Sequence, residues 1–391
     1  MCVSDRFTAP LDAIEAPSVR GTLLNPTRIL IAEDSSLFAT VLREMIEPEP
    51  DMEIVAMAQN GKKAVELCAE LQPDLVLMDI HMPVMDGLTA TARIMARCPT
   101  PILVITADPY RGGVDLSFKA LSAGALDLVA KPDEVPMREA ERLELLRKMR
   151  ILSEVPVVRH VRDSLGSARR SKPAPKESTP AKKSQETKKT KNAKLAGEST
   201  PVVGIAASTG GPKALAQLLG ELPADFPAPI LLVQHITRGF STHLTRWLDA
   251  NSALRVVEAQ HGQPIRAGHV YVAPTEMQME LTASRFLKVY DGPAVAGHRP
   301  SGDVLLRSLA RHVAPRAVGV VLSGMGQDGA FGMAALYRSG SITLVQDEES
   351  SVVYSMPRSA LERGVVSEVV ALDQMADKLG SVVKKLAEEG S

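Results

Sequence analysis

The residues VVGIAASTGGP, from Val202 to Pro212, carry the strongest fold signal in the second half of the chain. Its first six residues are apolar or small, and they predict a buried strand of a parallel sheet. The residues that follow predict a turn into a helix. Gly210 and Gly211 remove side-chain bulk there, so backbone N–H groups at the helix start can face a reacting group. We therefore expect Ser208 at a strand-to-helix turn, in the position of a nucleophile.

Two later predicted strands end in residues that complement such a serine. PILLVQH, residues 229–235, ends in His235, and VGVVLSGMGQDGA, residues 318–330, carries Asp328 on a glycine-rich turn. We expect His235 to take the proton of Ser208 while Asp328 holds the imidazole and stabilises its cation. The chain order Ser, His, Asp and the lack of a G-x-S-x-G motif disfavour an α/β-hydrolase.

Short apolar runs alternate with amphipathic stretches over both halves of the chain. This pattern predicts an α/β protein with two doubly wound parallel-sheet domains. The predicted strands are 28–32, 53–58, 75–78, 102–106 and 126–130 in the first domain, and 202–207, 230–234, 270–273, 318–322 and 342–345 in the second. The predicted boundaries are an N-terminal extension at 1–26, a first domain at 27–156, a linker at 157–200 and a second domain at 201–391.

The predicted linker is strongly basic. Between residues 164 and 200, ten Lys and Arg against three Glu give a formal charge of +7. The hydrophobic residues of this segment follow neither the helical nor the strand period. Burial of so little apolar surface cannot offset the conformational entropy that the segment would lose on folding. The segment is therefore expected to be a disordered, flexible tether. Attraction of this tether to nucleic acid or to an anionic membrane is the rival interpretation, but a solvated charge run is favoured.

Composition disfavours several other classes of protein. The formal charge of −1 provides no global attraction to nucleic acid. The three cysteines have no metal-like spacing, and a reducing cytoplasm suits them. No segment approaches the roughly 20 apolar residues of a membrane helix, so we expect no direct membrane insertion. The acidic N-terminus does not resemble a signal peptide.

A cluster of carboxylates is predicted at the strand ends of the first domain. Glu33 and Asp34 follow its first strand, and Asp79 follows its third. Carboxylates so close together repel unless a cation shares the site, and Mg²⁺ is the expected occupant because it prefers oxygen ligands. Asp79 is the expected phosphate acceptor. Lys131 would pair with the phosphoryl oxygens, and the Thr106 hydroxyl would follow the new acceptor group.

These residues lie in motifs that resemble the receiver domain of bacterial response regulators. The motifs are IAEDS, LVLMDIHMPVMDG, ITA and AKP, in receiver order. The resemblance implies a flavodoxin-like domain, a metal ligand from the backbone carbonyl of His81, and a sensor histidine kinase of the CheA type as partner. Leu128 stands where many receivers carry an aromatic switch residue.

The second half resembles the catalytic domain of the chemotaxis-type protein-glutamate methylesterases, the CheB family. The resemblance covers about 201–388 and rests on GIAASTGGP, VQHITRGFS, YVAPT, HRPSGD and LSGMGQDGA. It implies that Ser208, His235 and Asp328 form the catalytic triad, with oxyanion donors in the backbone of Thr209 and Met325. It implies no cofactor in the esterase site.

The same resemblance implies a function. The expected reactions are hydrolysis of glutamate methyl esters and deamidation of selected glutamines on methyl-accepting chemoreceptors, activated by phosphorylation of Asp79. The chain departs from the family pattern at Thr237 and Arg238, where many relatives have two prolines, and at Gly302, where a valine is usual. The side chains of Arg299 and Asp303 are equally compatible with an ion pair at a helix start and with a substrate role.

Each site residue also has an ordinary structural interpretation. Glu33 and Asp34 suit a helix cap, Ser208 and Asp328 suit turns, and His235 suits a core, but their joint occurrence in matching motifs favours the sites. Three other functions stay as alternatives. A regulator whose second domain only binds is disfavoured by the intact Ser, His, Asp set, and a transcriptional regulator by the lack of a helix-turn-helix pattern. A general lipase or protease would be separated by assays on small esters.

Overall fold

The structure is a computed structural model that describes residues 25–106, 116–132, 137–157, 195–197 and 199–389. Almost all of the predicted N-terminal extension and linker lies outside these ranges, so their boundaries and the disorder of the tether stay predictions. In the described ranges, no helix combines the length and the apolar character that a membrane crossing requires.

The first part of the chain forms a five-stranded parallel sheet covered by helices on both faces. Its elements are β1 (Thr27–Ala32), α1 (Ser36–Ile46), β2 (Met52–Ala58), α2 (Gly61–Leu71), β3 (Leu75–Met78), α3 (Gly87–Arg97), β4 (Ile102–Thr106), α4 (Leu116–Ser122), β5 (Asp127–Ala130) and α5 (Glu139–Ser153). The strand order β2-β1-β3-β4-β5 is the flavodoxin-like order. Helices α1 and α5 pack on one face, and α2, α3 and α4 on the other.

Side chains cap the first three helices of this sheet. Ser35 accepts a hydrogen bond from the backbone N–H of Phe38, and Asn60 and Asp86 do the same at the starts of α2 and α3. Ser35 rather than Glu33 or Asp34 therefore caps α1, and the Glu33 carboxylate accepts the backbone N–H of Ser35 itself at 3.0 Å.

The second part of the chain forms a seven-stranded parallel sheet and a small hairpin. Its elements are β6 (Val202–Ala207), α6 (Gly211–Glu221), β7 (Ile230–Gln234), α7 (Ser241–Ala250), β8 (Arg255–Glu258), β9 (His269–Val272), β10 (Gln278–Leu281), β11 (Leu287–Tyr290), α8 (Gly302–His312), β12 (Ala317–Val321), α9 (Ala330–Arg338), β13 (Ile342–Gln346), α10 (Ser355–Glu362), β14 (Glu368–Val370) and α11 (Leu372–Glu388). The strand order is β14-β13-β12-β6-β7-β9-β8, and β10 pairs only with β11. Helices α6, α7 and α11 cover one face, and α8, α9 and α10 the other.

The predicted fold class is confirmed, and each predicted strand lies within one residue of an observed strand. The sequence did not predict β8, the β10–β11 hairpin or β14. These strands are three or four residues long and only partly buried, so their apolar pattern is too short to distinguish from a loop.

Strand order decides where functional groups gather. In an open α/β sheet, ligands bind beyond the carboxyl ends of the strands where the order reverses. These reversal points lie between β1 and β3 in the first sheet and between β6 and β12 in the second. The residues predicted for the two sites follow these four strands and their neighbours.

Candidate functional sites

Ser208 and His235 directly follow two neighbouring strands, β6 and β7, and lie side by side. Ala207 of β6 and Gln234 of β7 are register partners, and the backbone N–H of His235 donates to the carbonyl of Ala207 at 2.9 Å. Parallel strands lie about 4.8 Å apart, so the next residue on each strand, Ser208 and His235, are direct neighbours. Ser208 is nearly buried, and its hydroxyl makes no hydrogen bond to any described residue.

His235 is bound to Asp328 through one ring nitrogen. Its Nε2 lies 2.8 Å from Oδ2 of Asp328. The other ring nitrogen, Nδ1, is buried and has no hydrogen-bond partner among the described residues. A neutral imidazole that donates from Nε2 keeps a lone pair on Nδ1. Nδ1 is therefore the nitrogen that can accept a proton from a neighbouring hydroxyl.

Asp328 is held by the start of helix α8. Besides His235, its carboxylate accepts hydrogen bonds from the Ser301 hydroxyl at 2.8 Å and from the backbone N–H groups of Gly302 and Asp303 at 2.6 and 3.0 Å. Burial alone would raise the pKa of the Asp328 carboxyl, but the bonds from His235 and the α8 start outweigh it and hold the pKa below its usual value. Asp328 is therefore a fixed anion beside His235.

Two unpaired backbone N–H groups lie next to Ser208. Those of Thr209 and Met325 have no acceptor among the described residues, whereas those of Gly324 and Gly326 bind Val353 and Ser355. The loop that contains Met325 lies against the nucleophile turn, because a Cβ on Gly324 would stand 2.9 Å from the Cβ of Ser208. Free N–H groups beside a serine are the donors that an oxyanion needs.

Two buried side chains that the sequence did not single out brace this turn. Gln234 donates from Nε2 to the carbonyls of Ser208 and His235, both at 2.8 Å. The hydroxyl of Ser323 donates to the backbone carbonyl of Thr209 at 2.8 Å. The backbone carbonyl of Ser323 accepts a hydrogen bond from the N–H of Ser208 at 3.0 Å. No local pattern predicts the bonds to Ser208 and Thr209, because the residues that they join are 26 and 114 positions apart in sequence.

A second histidine, also missed from the sequence, lies in the same site. The ring of His298 stacks on that of His235, with centroids 4.0 Å apart and planes 3° apart. Arg299 and Asp303 do not form the ion pair that was one of their two interpretations. Arg299 pairs with Asp291 instead, and the buried carboxylate of Asp303 accepts a hydrogen bond from the N–H of Gly332. The motif HRPSGD thus supplies the site with His298, Ser301 and the N–H groups of α8.

The carboxylates of the first sheet also meet at one edge. Nζ of Lys131 lies 2.8 Å from a carboxylate oxygen of both Glu33 and Asp79. Burial alone would lower the pKa of the Lys131 ammonium, but its hydrogen bonds to Asp79 and Glu33 hold the pKa above its usual value. For Glu33, burial raises the pKa although Lys131 opposes it.

This edge fits a hard cation. Glu33, Asp34 and Asp79 each offer an oxygen, and the three oxygens lie within 4.8 Å of one another. An all-oxygen carboxylate set suits Mg²⁺. The Thr106 hydroxyl is fully buried and has no partner among the described residues, and the N–H of His81 lies 3.3 Å from Asp79. The structure thus brings the predicted residues of the first site together, while their individual roles stay predictions.

Fold and sites together define a class of protein: a flavodoxin-like domain with an acidic, lysine-bearing edge, joined in one chain to an α/β domain with a serine, a histidine and an aspartate at its strand ends. Two family models match accordingly. The response regulator receiver domain matches residues 29–140, and the CheB methylesterase matches residues 203–379.

Curated relatives cover nearly the whole chain. The protein-glutamate methylesterase/protein-glutamine glutaminase 2 of Anaeromyxobacter dehalogenans is 41% identical over 92% of this chain and 98% of its own length. The protein-glutamate methylesterase/protein-glutamine glutaminase 4 of Myxococcus xanthus is also 41% identical, again over 92% of this chain and 98% of its own length. A solved catalytic domain, that of the Thermotoga maritima CheB methylesterase, is 34% identical and covers 47% of this chain and 98% of its own, with a TM-score of 0.46. The chain belongs to the protein-glutamate methylesterase/protein-glutamine glutaminase family.

Proposed function

We propose that this chain hydrolyses glutamate methyl esters and deamidates selected glutamines on methyl-accepting chemoreceptors, under the control of its receiver domain. The observation that carries the proposal is the hydrogen bond between His235 and Asp328 directly beside Ser208. The names of the curated relatives, which describe the same pair of reactions, support it.

The proposed chemistry is acyl transfer through the serine. The Oγ of Ser208 attacks the side-chain carbonyl carbon while Nδ1 of His235 accepts the proton. The N–H groups of Thr209 and Met325 donate to the oxyanion that forms. The bond to the leaving group then breaks, and His235 returns the proton, so that methanol leaves from an ester and ammonia from an amide. A water molecule, deprotonated by His235, hydrolyses the glutamyl-enzyme to free carboxylate and Ser208.

The proposed control lies at the acidic edge of the receiver. Asp79 accepts a phosphoryl group from a sensor histidine kinase of the CheA type. Glu33, Asp34, Asp79 and the backbone carbonyl of His81 would hold Mg²⁺, which supplies positive charge for the incoming phosphoryl group when bound. Lys131, which now binds two carboxylates, turns to the phosphoryl oxygens, and the buried Thr106 hydroxyl provides a new donor.

The setting is the cytoplasm, which suits the free thiols of Cys68 and Cys98. Neither nucleic acid nor membrane insertion has a part in this proposal.

The test is release of methanol from a radiolabelled methyl-esterified receptor, with and without a small phosphodonor and Mg²⁺. Ser208→Ala should lower the rate at least about 1000-fold, because covalent catalysis ends, while phosphorylation of Asp79 persists. Ser381→Ala, on the outer surface of α11, is the matched control and should retain full activity. Turnover by Ser208→Ala would refute the assignment, and equal rates on small unrelated esters would favour a general lipase instead.

A further inference from the structure

The esterase site contains a parallel stack of two imidazole rings, of which that of His298 has no part in the proposed proton transfers. His298 lies on the loop between β11 and α8, and its ring covers one face of His235 at a centroid distance of 4.0 Å. Neither ring nitrogen of His298 makes a hydrogen bond to any described residue. Its stack on His235 is therefore the direct side-chain contact that the structure shows between His298 and the residue that accepts the proton during turnover.

The backbone of His298 is fixed more firmly than its ring. Residues 295 and 298 form a two-bond antiparallel bridge. The buried amide of Gln278, on β10, donates to the carbonyl of His298 at 3.3 Å and accepts from the N–H of Ser301 at 3.0 Å. Because Ser301 also binds Asp328, one buried glutamine connects the residue stacked on His235 with a residue that holds its carboxylate partner.

We infer that His298 is a positioning residue for His235: its aromatic face keeps the imidazole in the plane in which Nε2 meets Asp328, and it stabilises the imidazolium formed in the transition state. The inference rests on the proposed function. A cation over the face of an aromatic ring is attracted more strongly than a neutral ring is. The stack therefore strengthens when His235 takes the Ser208 proton, and only interactions that strengthen in the transition state raise kcat.

The role requires that His298 itself stays uncharged. Burial, and secondarily the neighbouring His235, lower the pKa of the His298 imidazole to about 4. At neutral pH the ring thus presents an uncharged π face and does not repel the imidazolium.

A different role is also geometrically available. Nε2 of His298 is the nearest atom to the position that a Cβ on Gly326 would take, at 4.0 Å. The ring edge therefore faces the loop that carries Met325, where a ring nitrogen could contact substrate. Stacking needs only the ring face, whereas contact with substrate needs the nitrogen. Substitutions that keep the face and remove the nitrogens separate the two.

The experiment compares His298→Leu with His298→Phe in the full chain, with kcat and KM measured on the methyl-esterified receptor. Leucine fills the space without an aromatic face, and phenylalanine keeps the face without ring nitrogens. We expect His298→Leu to lower kcat about tenfold at unchanged KM, and His298→Phe to stay within about threefold of the wild type. His298→Gln replaces the leucine variant if that variant does not fold. The same substitutions at His269, whose ring lies near Tyr271 at the opposite edge of the sheet, are the matched control.

A second readout does not depend on turnover. In the proton NMR spectrum, the proton between His235 and Asp328 should give a downfield resonance. We expect its intensity to be unchanged in His298→Phe and lower in His298→Leu. Loss of kcat in both variants would assign the role to the ring nitrogens and overturn the stacking inference, and so would full activity in both. An inactive wild type would instead overturn the proposed function.

Discussion

Asp328 is the residue on which the esterase site converges. It accepts four hydrogen bonds, from His235, Ser301 and the N–H groups of Gly302 and Asp303. A fully buried carboxylate is tolerated only when it is paired and bonded in this way. The bonds to the α8 start fix the carboxylate, and the carboxylate in turn fixes which nitrogen of His235 carries the proton.

Replacement of Asp328 tests this dependence. Asp328→Asn keeps the shape but can donate to His235, which favours the tautomer whose Nδ1 is protonated and cannot take the Ser208 proton. We expect kcat to fall about 10⁴-fold with little change in KM. Asp303→Asn is the matched control, since Asp303 is equally buried and accepts the N–H of Gly332, which an amide oxygen also does. An equal loss of kcat in both variants would argue against a special role for Asp328.

A pH dependence of stability follows from His298. Its pKa is about 4 in the folded protein, lowered chiefly by burial, against an ordinary value of 6.5. The unfolded chain therefore binds more protons between these values, and stability falls as the pH drops from about 6.5 towards 4.

The titratable and charged groups around the ring are His235, Asp328 and Arg147. After allowance for partial exposure, the loss is on the order of 1 to 2 kcal/mol, or a few degrees in Tm. His298→Phe should lack this contribution, so its Tm should fall less than that of the wild type between pH 7.5 and 5. Parallel declines of the two Tm values would contradict the lowered pKa.

Helix α8 is the element that sets up the site, and its position depends on close contact with α9. A Cβ on Gly332, in α9, would stand 2.5 Å from the Cβ of Leu306 and 3.2 Å from the Cα of Asp303. The helices can approach this closely only because residue 332 has no side chain. The start of α8, which binds Asp328, is thereby pressed against the loop after β12.

The same substitution in two helices should have opposite effects. Gly332→Ala should destabilise the esterase domain by about 1 to 3 kcal/mol and lower kcat, because α8 must move away from α9 and from Asp328. Gly380→Ala, in α11, meets no atom within 4 Å and should stabilise by about 0.5 to 1 kcal/mol through helix propensity. Urea denaturation of the two full-length variants measures both. A stabilised Gly332→Ala would mean that α8 shifts without strain.

At the scale of the whole molecule, an aromatic contact joins the two sheets. Phe118, in α4 of the receiver, is fully buried and stacks on Trp247 in α7 with centroids 5.3 Å apart. The hydrophobic core on that side contains residues from both parts of the chain. The proposed restraint of the esterase by the receiver can be only as strong as such contacts allow.

Loss of this contact should therefore release activity. We expect Phe118→Ala to raise the methanol-release rate without phosphodonor about 5- to 30-fold, if the stack and its burial contribute about 1 to 2 kcal/mol to docking. Met57→Ala, at an exposed position on the edge strand β2, is the control and should leave the basal rate unchanged. An unaltered basal rate in folded Phe118→Ala would show that this contact does not restrain the enzyme.

The order of apolar and polar residues along the chain was enough to predict the two sheets and the residues at their strand ends. Apolar runs of four to six residues specify buried parallel strands locally, and parallel strands deliver Ser208, His235, Asp328 and the receiver carboxylates to the same edges. Which atoms meet there depends on the packing of the folded chain. The choice of Nε2 for Asp328, the cradle at the α8 start, the stack of His298 and the contact of Phe118 with Trp247 join segments distant in the chain. Their geometry depends on how helices and loops pack, which no local pattern of residues encodes.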